Sequence, residues 1–130
     1  MNYLTGDDPT RFLSAGDRLR QLLARPRILQ LPGAHNGLAA LQARDAGFEA
    51  LYPSGAAMSA SMGLPDLGIL TVDDVSFFIR QVVRASGLLV LVDGDTGFGE
   101  ALNVMHMVRS FEDAVPPPCR LRTRYSPRHA

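Results

Sequence analysis

The chain has 130 residues, no net charge and a hydrophobic fraction of 46%, values that are typical of one modest globular domain. Its apolar runs are too short to span a bilayer and its N-terminus lacks a signal-peptide pattern, so we expect a cytoplasmic protein without a membrane partner. The single cysteine, Cys119, excludes an internal disulfide and a multi-cysteine zinc site.

The neutral net charge conceals an uneven distribution. Residues 1–114 carry all 13 acidic side chains and nine arginines, whereas residues 115–130 carry four arginines and no acid. A basic segment of this kind can bind nucleic acid. Four charges on a segment without a predicted fold are weak support for that reading, and we expect no nucleic-acid partner.

The chain begins with residues 1–13, which have no periodicity and are predicted to form a flexible leader. Ser14, followed by Asp17 three residues later, predicts the capped start of a helix that runs to about Ala24. The apolar segment Ile28–Leu31, closed by a Pro-Gly pair, predicts a short strand.

A second helix and strand follow. Asn36 is a candidate N-cap for a helix over about Gly37–Ala46, and Gly47 lies where a helix-terminating glycine is expected. Phe48–Tyr52 predicts another short strand. The next segment, Ala56–Gly68, is rich in small residues and methionine, and we predict a long loop that closes over a site.

The clearest amphipathic helix of the chain begins after Thr71, whose Thr-Val-Asp-Asp context matches a capping box, and ends at Gly87. Its apolar residues recur at helical spacing. They are Val75, Phe78, Ile79, Val82 and Val83.

Five consecutive aliphatic residues, Leu88–Val92, predict a strand buried on both faces, as in a parallel sheet. Asp93 and Asp95 follow it directly, at the strand end where α/β folds place their functional groups. Two carboxylates suit a hard cation such as Mg²⁺, which completes its coordination with water and substrate. A strand-end turn with solvated aspartates remains the alternative at this point.

A last helix is predicted over Glu100–Ala114, so that one helix is followed by three β-α units. This order predicts an α/β fold with a parallel sheet and right-handed crossovers. Residues 115–130 contain three consecutive prolines and alternating arginines, and we predict a disordered tail that cannot supply a fourth strand.

Three motifs resemble the isocitrate lyase/phosphoenolpyruvate mutase superfamily, and within it most closely the methylisocitrate lyases. They are LYPSG (51–55), SASMGLPDLG (59–68) and LVDGDTGFGEALNV (91–104). The segment Pro32–Gly55 also fits that family's first β-α unit. The resemblance covers about Ser14–Ala114, which would form part of a (β/α)8 barrel domain, 14–114.

The resemblance implies an oligomeric, Mg²⁺-dependent enzyme that cleaves a carbon–carbon bond of a small 2-hydroxy or keto acid. Methylisocitrate lyases convert 2-methylisocitrate to pyruvate and succinate in propionate catabolism. Relatives cleave dimethylmalate, decarboxylate oxaloacetate or act on a phosphorus–carbon bond.

Site residues follow from the same resemblance. Asp93 and Asp95 match the metal-site carboxylates, and Asp66 matches the acid of the gating loop. The segment that binds the keto-acid end of the substrate corresponds to Ser54, Gly55 and Ala56.

The chain departs from the family after Ala114. A complete barrel needs about 250 residues, and the expected next strand, with a further glutamate and a catalytic cysteine loop, has no counterpart here. A one-base shift of a possible coding sequence for residues 115–130 yields GAAAVPIEDQVLPKTC, which resembles that strand and loop. We interpret the tail as frameshifted and expect the chain alone to be aggregation-prone or molten and inactive, or to act only by docking on full-length subunits.

Three further residues and one glycine pair are candidates for function. Cys119 lies in the basic tail and is assigned no role. His35 follows a predicted strand, where it either lines the site or packs at a helix start. His106 is predicted to contact solvent or a neighbouring helix, and the spacing of Gly97 and Gly99 is too short for a dinucleotide-binding fingerprint.

Overall fold

The computed structural model describes residues 14–115 and the backbone of residues 122–124. This part of the chain contains five helices and three strands. In chain order they are α1 (Ala15–Leu23), α2 (Gly37–Asp45), β1 (Ala50–Leu51), α3 (Gly55–Ser61), α4 (Val72–Ser86), β2 (Leu89–Asp93), α5 (Ala101–Asp113) and β3 (Arg122–Arg124). Among these helices, none has the length and apolarity needed to cross a bilayer.

The three strands form one parallel sheet in the order β1-β2-β3. Ala50 pairs with Leu89 and Leu51 pairs with Val90, so β1 and β2 start side by side. Leu89 and Val90, which point to opposite faces of β2, are both buried, as expected for a strand covered on both faces. The predicted α/β class and parallel pairing are confirmed.

Helix α4 forms the centre of the core. Its capping box is present: the Thr71 side chain accepts a hydrogen bond from the Asp74 backbone, and the Asp74 carboxylate accepts one from the Thr71 backbone. Gly87 ends the helix in the left-handed conformation, with φ of 66°. All five predicted apolar positions are buried, and they pack in one cluster with residues of β1, β2 and α5.

Helix α1 packs at the amino ends of the strands. Its Ala15 lies in a small apolar cluster with Ala50 and Leu89, the first residues of β1 and β2. Beside this cluster, Arg25 and Arg27 form ion pairs with Glu49. The hydrogen bond from Arg25, strengthened by both positive charges, holds the pKa of the Glu49 carboxyl below its ordinary value.

The prediction of a strand over Ile28–Leu31 is wrong. In the described chain, the only bridge from this region joins Gly33 to Tyr52, the residue that follows β1. Ile28 is 89% exposed, so the apolar run does not face the core. Because β1 is only two residues long, the segment between α1 and α2 forms a single bridge, at Gly33, and no ladder of strand hydrogen bonds.

The prediction that Ala56–Gly68 is a loop is wrong for its first half, which forms α3. Alanine has the highest helix propensity, and burial of Met58 and Ser59 fixes the helix against the core. The loop proper is Met62–Gly68, and Gly63 and Gly68 have positive φ values of 72° and 70°.

The prediction that residues 115–130 contain no strand is wrong for Arg122–Arg124, which pair with β2 in parallel. An open strand edge presents backbone donors and acceptors that favour pairing with any extended segment. Residues 1–13, 116–121 and 125–130, which include the leader and Cys119, lie outside the described residues, so the predictions made for them remain predictions.

Candidate active site at the carboxyl end of the sheet

Asp93 is the last residue of β2, and its carboxylate organises the turn that follows. Its Oδ1 accepts a hydrogen bond from the Asp95 backbone N–H at 2.9 Å, which closes an Asx turn. Asp95 and Phe98 have positive φ values of 46° and 61°. Holding a non-glycine residue at positive φ costs about 1–3 kcal/mol, and such residues cluster at functional sites. The surroundings of this turn therefore hold it in an unusual conformation.

A second hydrogen bond reaches Asp93 from the neighbouring strand. The Tyr52 hydroxyl donates to Asp93 Oδ2 at 2.8 Å. Tyr52 directly follows β1, so this bond joins the carboxyl ends of β1 and β2. The sequence analysis did not single out Tyr52, although its place at the end of a strand and two residues before Ser54 was a usable signal.

An open cleft of about 420 Å³ lies beside this turn. It brings together Asp66 of the predicted gating loop and Asp95 of the predicted metal site. The remaining lining residues are Leu67, Gly68, Thr96 and Phe98. A Cβ atom placed on Gly68 would lie 3.9 Å from Asp95 Oδ2, so the loop backbone runs close to the Asp95 carboxylate.

The predicted substrate-binding segment lies at the start of α3 and does not line this cleft. Ser54 is the N-cap residue but makes no side-chain capping hydrogen bond. Gly55 and Ala56 follow it in the first turn, where backbone N–H groups have no partner within the helix. Ser54 is two residues from Tyr52, whose hydroxyl contacts Asp93, so the segment starts next to the carboxylate end of β2.

The carboxylates of Asp93 and Asp95 suit a partly hydrated Mg²⁺ ion better than a metal ion that is fully enclosed by protein ligands. Within residues 14–115, no group of three or more His, Cys, Asp and Glu side chains is placed to hold a metal ion. Asp93 is exposed and accepts one hydrogen bond on each carboxylate oxygen, which leaves a lone pair on each. Mg²⁺ is usually bound by one or two carboxylates together with water and substrate, so these aspartates are a chemically suitable pair.

Neither of the two described histidines lines the cleft. His35 is half-buried, with Nε2 3.3 Å from the Asn36 side-chain amide, and Asn36 caps α2. It is not among the residues that line the cleft. His106 is exposed on α5, in agreement with the predicted contact with solvent.

Comparison with known proteins places this geometry in a family. The phosphoenolpyruvate phosphomutase family profile matches residues 19–115. The chain is 47% identical over 114 residues to the 2-methylisocitrate lyase of Bacillus subtilis (strain 168), covering 88% of this chain and 38% of the relative. It is 50% identical over 108 residues to the 2-methylisocitrate lyase of Halalkalibacterium halodurans, covering 83% of this chain and 36% of the relative.

Solved structures agree with the sequence matches. The phosphoenolpyruvate phosphomutase of Streptomyces platensis subsp. rosaceus superposes with a TM-score of 0.72 at 44% identity, covering 78% of this chain and 35% of that chain. A phosphonopyruvate hydrolase in complex with oxalate and Mg²⁺ superposes with a TM-score of 0.72 at 34% identity, covering 78% and 36%.

The chain thus spans just over a third of the length of the relatives it matches. Strands β1 and β2 and the helices that flank them correspond to part of their barrel. The matches extend over most of this chain, including β1, β2 and the loops with the candidate site residues. The chain belongs to the phosphoenolpyruvate mutase/isocitrate lyase family.

Proposed function

We propose that this chain is the metal-binding and substrate-binding part of a Mg²⁺-dependent carbon–carbon lyase that cleaves 2-methylisocitrate to pyruvate and succinate. One observation carries the proposal: Asp95, two residues after the end of β2, lines a cleft together with Asp66. This arrangement occurs in a chain 47–50% identical to proteins named 2-methylisocitrate lyase.

In this proposal Asp93 and Asp95 hold the cation at the carboxyl end of β2. A bound Mg²⁺ would fix a carboxylate and an oxygen of the substrate and stabilise the negative charge that develops as the bond breaks. The similar phosphonopyruvate hydrolase was solved in complex with oxalate and Mg²⁺, which supports the choice of this cation.

The start of α3 would bind the keto-acid end of the substrate. The Ser54 hydroxyl is not engaged in capping, and the N–H groups of Gly55 and Ala56 can donate to a carboxylate. The loop Met62–Gly68, with Asp66, would close over the cleft and exclude water during the reaction.

A 2,3-dimethylmalate lyase is the second candidate. The Eubacterium barkeri enzyme of that name is 36% identical over 117 residues, covering 89% of this chain and 40% of that relative. An oxaloacetate-cleaving activity is a further possibility, since an oxaloacetate acetylhydrolase superposes with a TM-score of 0.70 at 32% identity, covering 78% of this chain and 38% of that chain. Both of these proteins are less similar to the chain, at 36% and 32% identity, than the 2-methylisocitrate lyases at 47% and 50%, which favours 2-methylisocitrate as the substrate.

The chain matches just over a third of its relatives, so a non-catalytic role is the alternative. In that case the chain would bind other subunits of the family and contribute no chemistry of its own. We further propose a cytoplasmic location, and that this chain alone does not form the oligomeric assembly that the resemblance implies for the family.

A chimera tests the enzymatic proposal. Residues 14–114 replace the matching part of the Bacillus subtilis 2-methylisocitrate lyase, which supplies the rest of the barrel. We expect pyruvate release from 2-methylisocitrate that is lost when Mg²⁺ is chelated, with slower turnover of 2,3-dimethylmalate and oxaloacetate. A chimera that has no lyase activity would contradict the proposal, provided that it is folded. Folding is shown by a far-UV circular dichroism spectrum like that of the parent enzyme.

A further inference from the structure

We propose that Tyr52 is a positioning residue for the cation site: its hydroxyl orients the Asp93 carboxylate so that the oxygen lone pairs left over face a divalent cation. The inference rests on the proposed function, because it assumes that Asp93 is a ligand. Tyr52 lies within the motif LYPSG (51–55), and the inference adds a task for this residue beside the substrate-binding role assigned to Ser54 and Gly55.

The register of the sheet brings the two side chains together. Leu51 pairs with Val90, which places Tyr52 beside Leu91. Asp93 is two residues further along β2, and side chains two residues apart point to the same face of a strand. Tyr52 therefore reaches forward to the strand end, and its hydroxyl lies 2.8 Å from Asp93 Oδ2.

Tyr52 is itself held on its other side. Its backbone N–H donates to the Pro32 carbonyl at 3.0 Å, and its carbonyl accepts from the Ala34 N–H at 3.2 Å. Both bonds belong to the bridge with Gly33. The phenol thus projects from a backbone that two hydrogen bonds fix to the neighbouring segment, and a fixed backbone is what a positioning group requires.

The two hydrogen bonds on Asp93 fix the plane of its carboxylate. An exposed strand-end aspartate with no partner rotates freely about χ2, and ordering it when a cation binds costs conformational entropy. The bonds from Tyr52 and from the Asp95 backbone hold opposite oxygens, so this cost is met before the cation arrives. Hydrogen bonds to ligating groups of this kind typically change metal affinity 10–100-fold.

Tyrosine emission tests the contact itself. The chain has three tyrosines and no tryptophan, so in the full 130-residue chain carrying Tyr3→Phe and Tyr125→Phe only Tyr52 emits. A carboxylate that accepts the phenol proton quenches this emission. We expect Asp93→Asn to raise it, and the control Asp113→Asn, at the far end of α5, to leave it unchanged. Equal emission with and without Asp93→Asn would overturn the inference.

Titration with Mn²⁺, followed by the loss of the free-ion electron paramagnetic resonance signal, tests the role. In the same background at micromolar chain concentration, we expect Tyr52→Phe to weaken Mn²⁺ binding about tenfold. In an Asp93→Asn chain, Tyr52→Phe should cause no further loss, because the two residues act through one contact. The background chain is the matched control, since it already lacks two phenols elsewhere.

The outcomes separate this inference from the proposed function. Mn²⁺ binding that Tyr52→Phe leaves unchanged would overturn the positioning role and leave the cation site standing. A loss of similar size with and without Asp93, accompanied by a weaker helix signal at 222 nm, would assign Tyr52 only to joining β1 and β2. If the background chain binds no Mn²⁺ even at millimolar Mn²⁺, both the positioning role and the proposed cation site are overturned.

Discussion

Two aspartates at the end of one strand make different contacts with their surroundings. Asp93 is exposed, and its carboxylate accepts hydrogen bonds from Tyr52 and from the Asp95 backbone. Asp95 lines the cleft and has a backbone conformation that non-glycine residues seldom adopt. Since strained residues persist only where surrounding structure holds them, the position of Asp95 relative to the cleft is fixed by the turn.

The first prediction concerns these two residues. In the chimera with the remainder of a relative's barrel, Asp95→Ala should lower kcat/KM more than about a hundredfold, beyond the usual effect of groups that only contact ligands. Asp93→Ala should cause a smaller loss, because water can partly replace a ligand. The measurement is pyruvate release at saturating Mg²⁺, with the circular dichroism spectrum as the folding control. Activity of the Asp95→Ala chimera within tenfold of the parent chimera would remove Asp95 from the metal site.

At the scale of elements, α4 is stabilised at its start by its own sequence and along its length by the core. The Thr71 hydroxyl donates to Asp74 Oδ2 at 2.7 Å, and the Thr71 N–H donates to the same oxygen at 2.8 Å. These bonds, first the one from the hydroxyl, hold the pKa of the Asp74 carboxyl below its ordinary value of 3.8. They favour the ionised form, so the contribution of Asp74 depends on pH.

The second prediction follows from that pKa. A synthetic peptide of residues 69–88 should keep the Asp74 contribution to its helix content at pH values above the ordinary carboxyl pKa of 3.8 and lose it as pH falls through the lowered value. Circular dichroism at 222 nm measures the helix content. Asp74→Asn should remove this part of the pH dependence, whereas Asp73→Asn, which changes a residue outside the capping box, should retain it. A pH profile that Asp74→Asn leaves unaltered would exclude the capping role.

The third prediction concerns the loop Met62–Gly68. Its residues other than Leu64 are exposed and both of its glycines have positive φ, so few contacts hold it in one conformation. In the chimera, chymotrypsin should cut within this loop, and Mg²⁺ with oxalate should slow the cut. Cleavage near the exposed Ile28 segment is the control and should not respond to ligand. A loop cut whose rate is the same with and without ligand argues against a lid.

At the scale of the whole molecule, the described part exposes apolar side chains from several helices and leaves a short sheet without closure. Leu102 of α5 is 79% exposed, Leu38 of α2 66% and Phe77 of α4 55%. Leaving such a side chain in water rather than burying it forgoes about 1.5–3 kcal/mol. Since whole domains are stable by only about 5–15 kcal/mol, these surfaces favour contact with other chains.

The fourth prediction is that residues 1–130 self-associate when expressed alone and show no lyase activity. Light scattering coupled to size-exclusion chromatography should give a mass above 14.1 kDa that rises with concentration. Leu102→Gln should reduce the association, and Arg109→Gln, a polar change on the same helix, should not. A monomer that melts cooperatively at every concentration would contradict this prediction.

The sequence by itself determined the elements whose signals are local. Helix caps at Ser14, Asn36 and Thr71 were predicted and confirmed, because a cap needs only a side-chain oxygen within three residues of its donor. The parallel sheet was also predicted, since a run of aliphatic residues between two amphipathic helices has few other solutions. The motifs placed Asp66 and Asp95 in one site, and the cleft brings them together.

Only the tertiary structure decided the features that depend on distant partners. Three of these features depend on which surfaces are available for packing or backbone pairing. They are the exposure of Ile28, the helix over Gly55–Ser61 and the pairing of Arg122–Arg124 with β2. The same holds for the bond between Tyr52 and Asp93, which are 41 residues apart. A local pattern cannot specify such a contact, because the register of two strands, and not the spacing along the chain, sets the distance between their side chains.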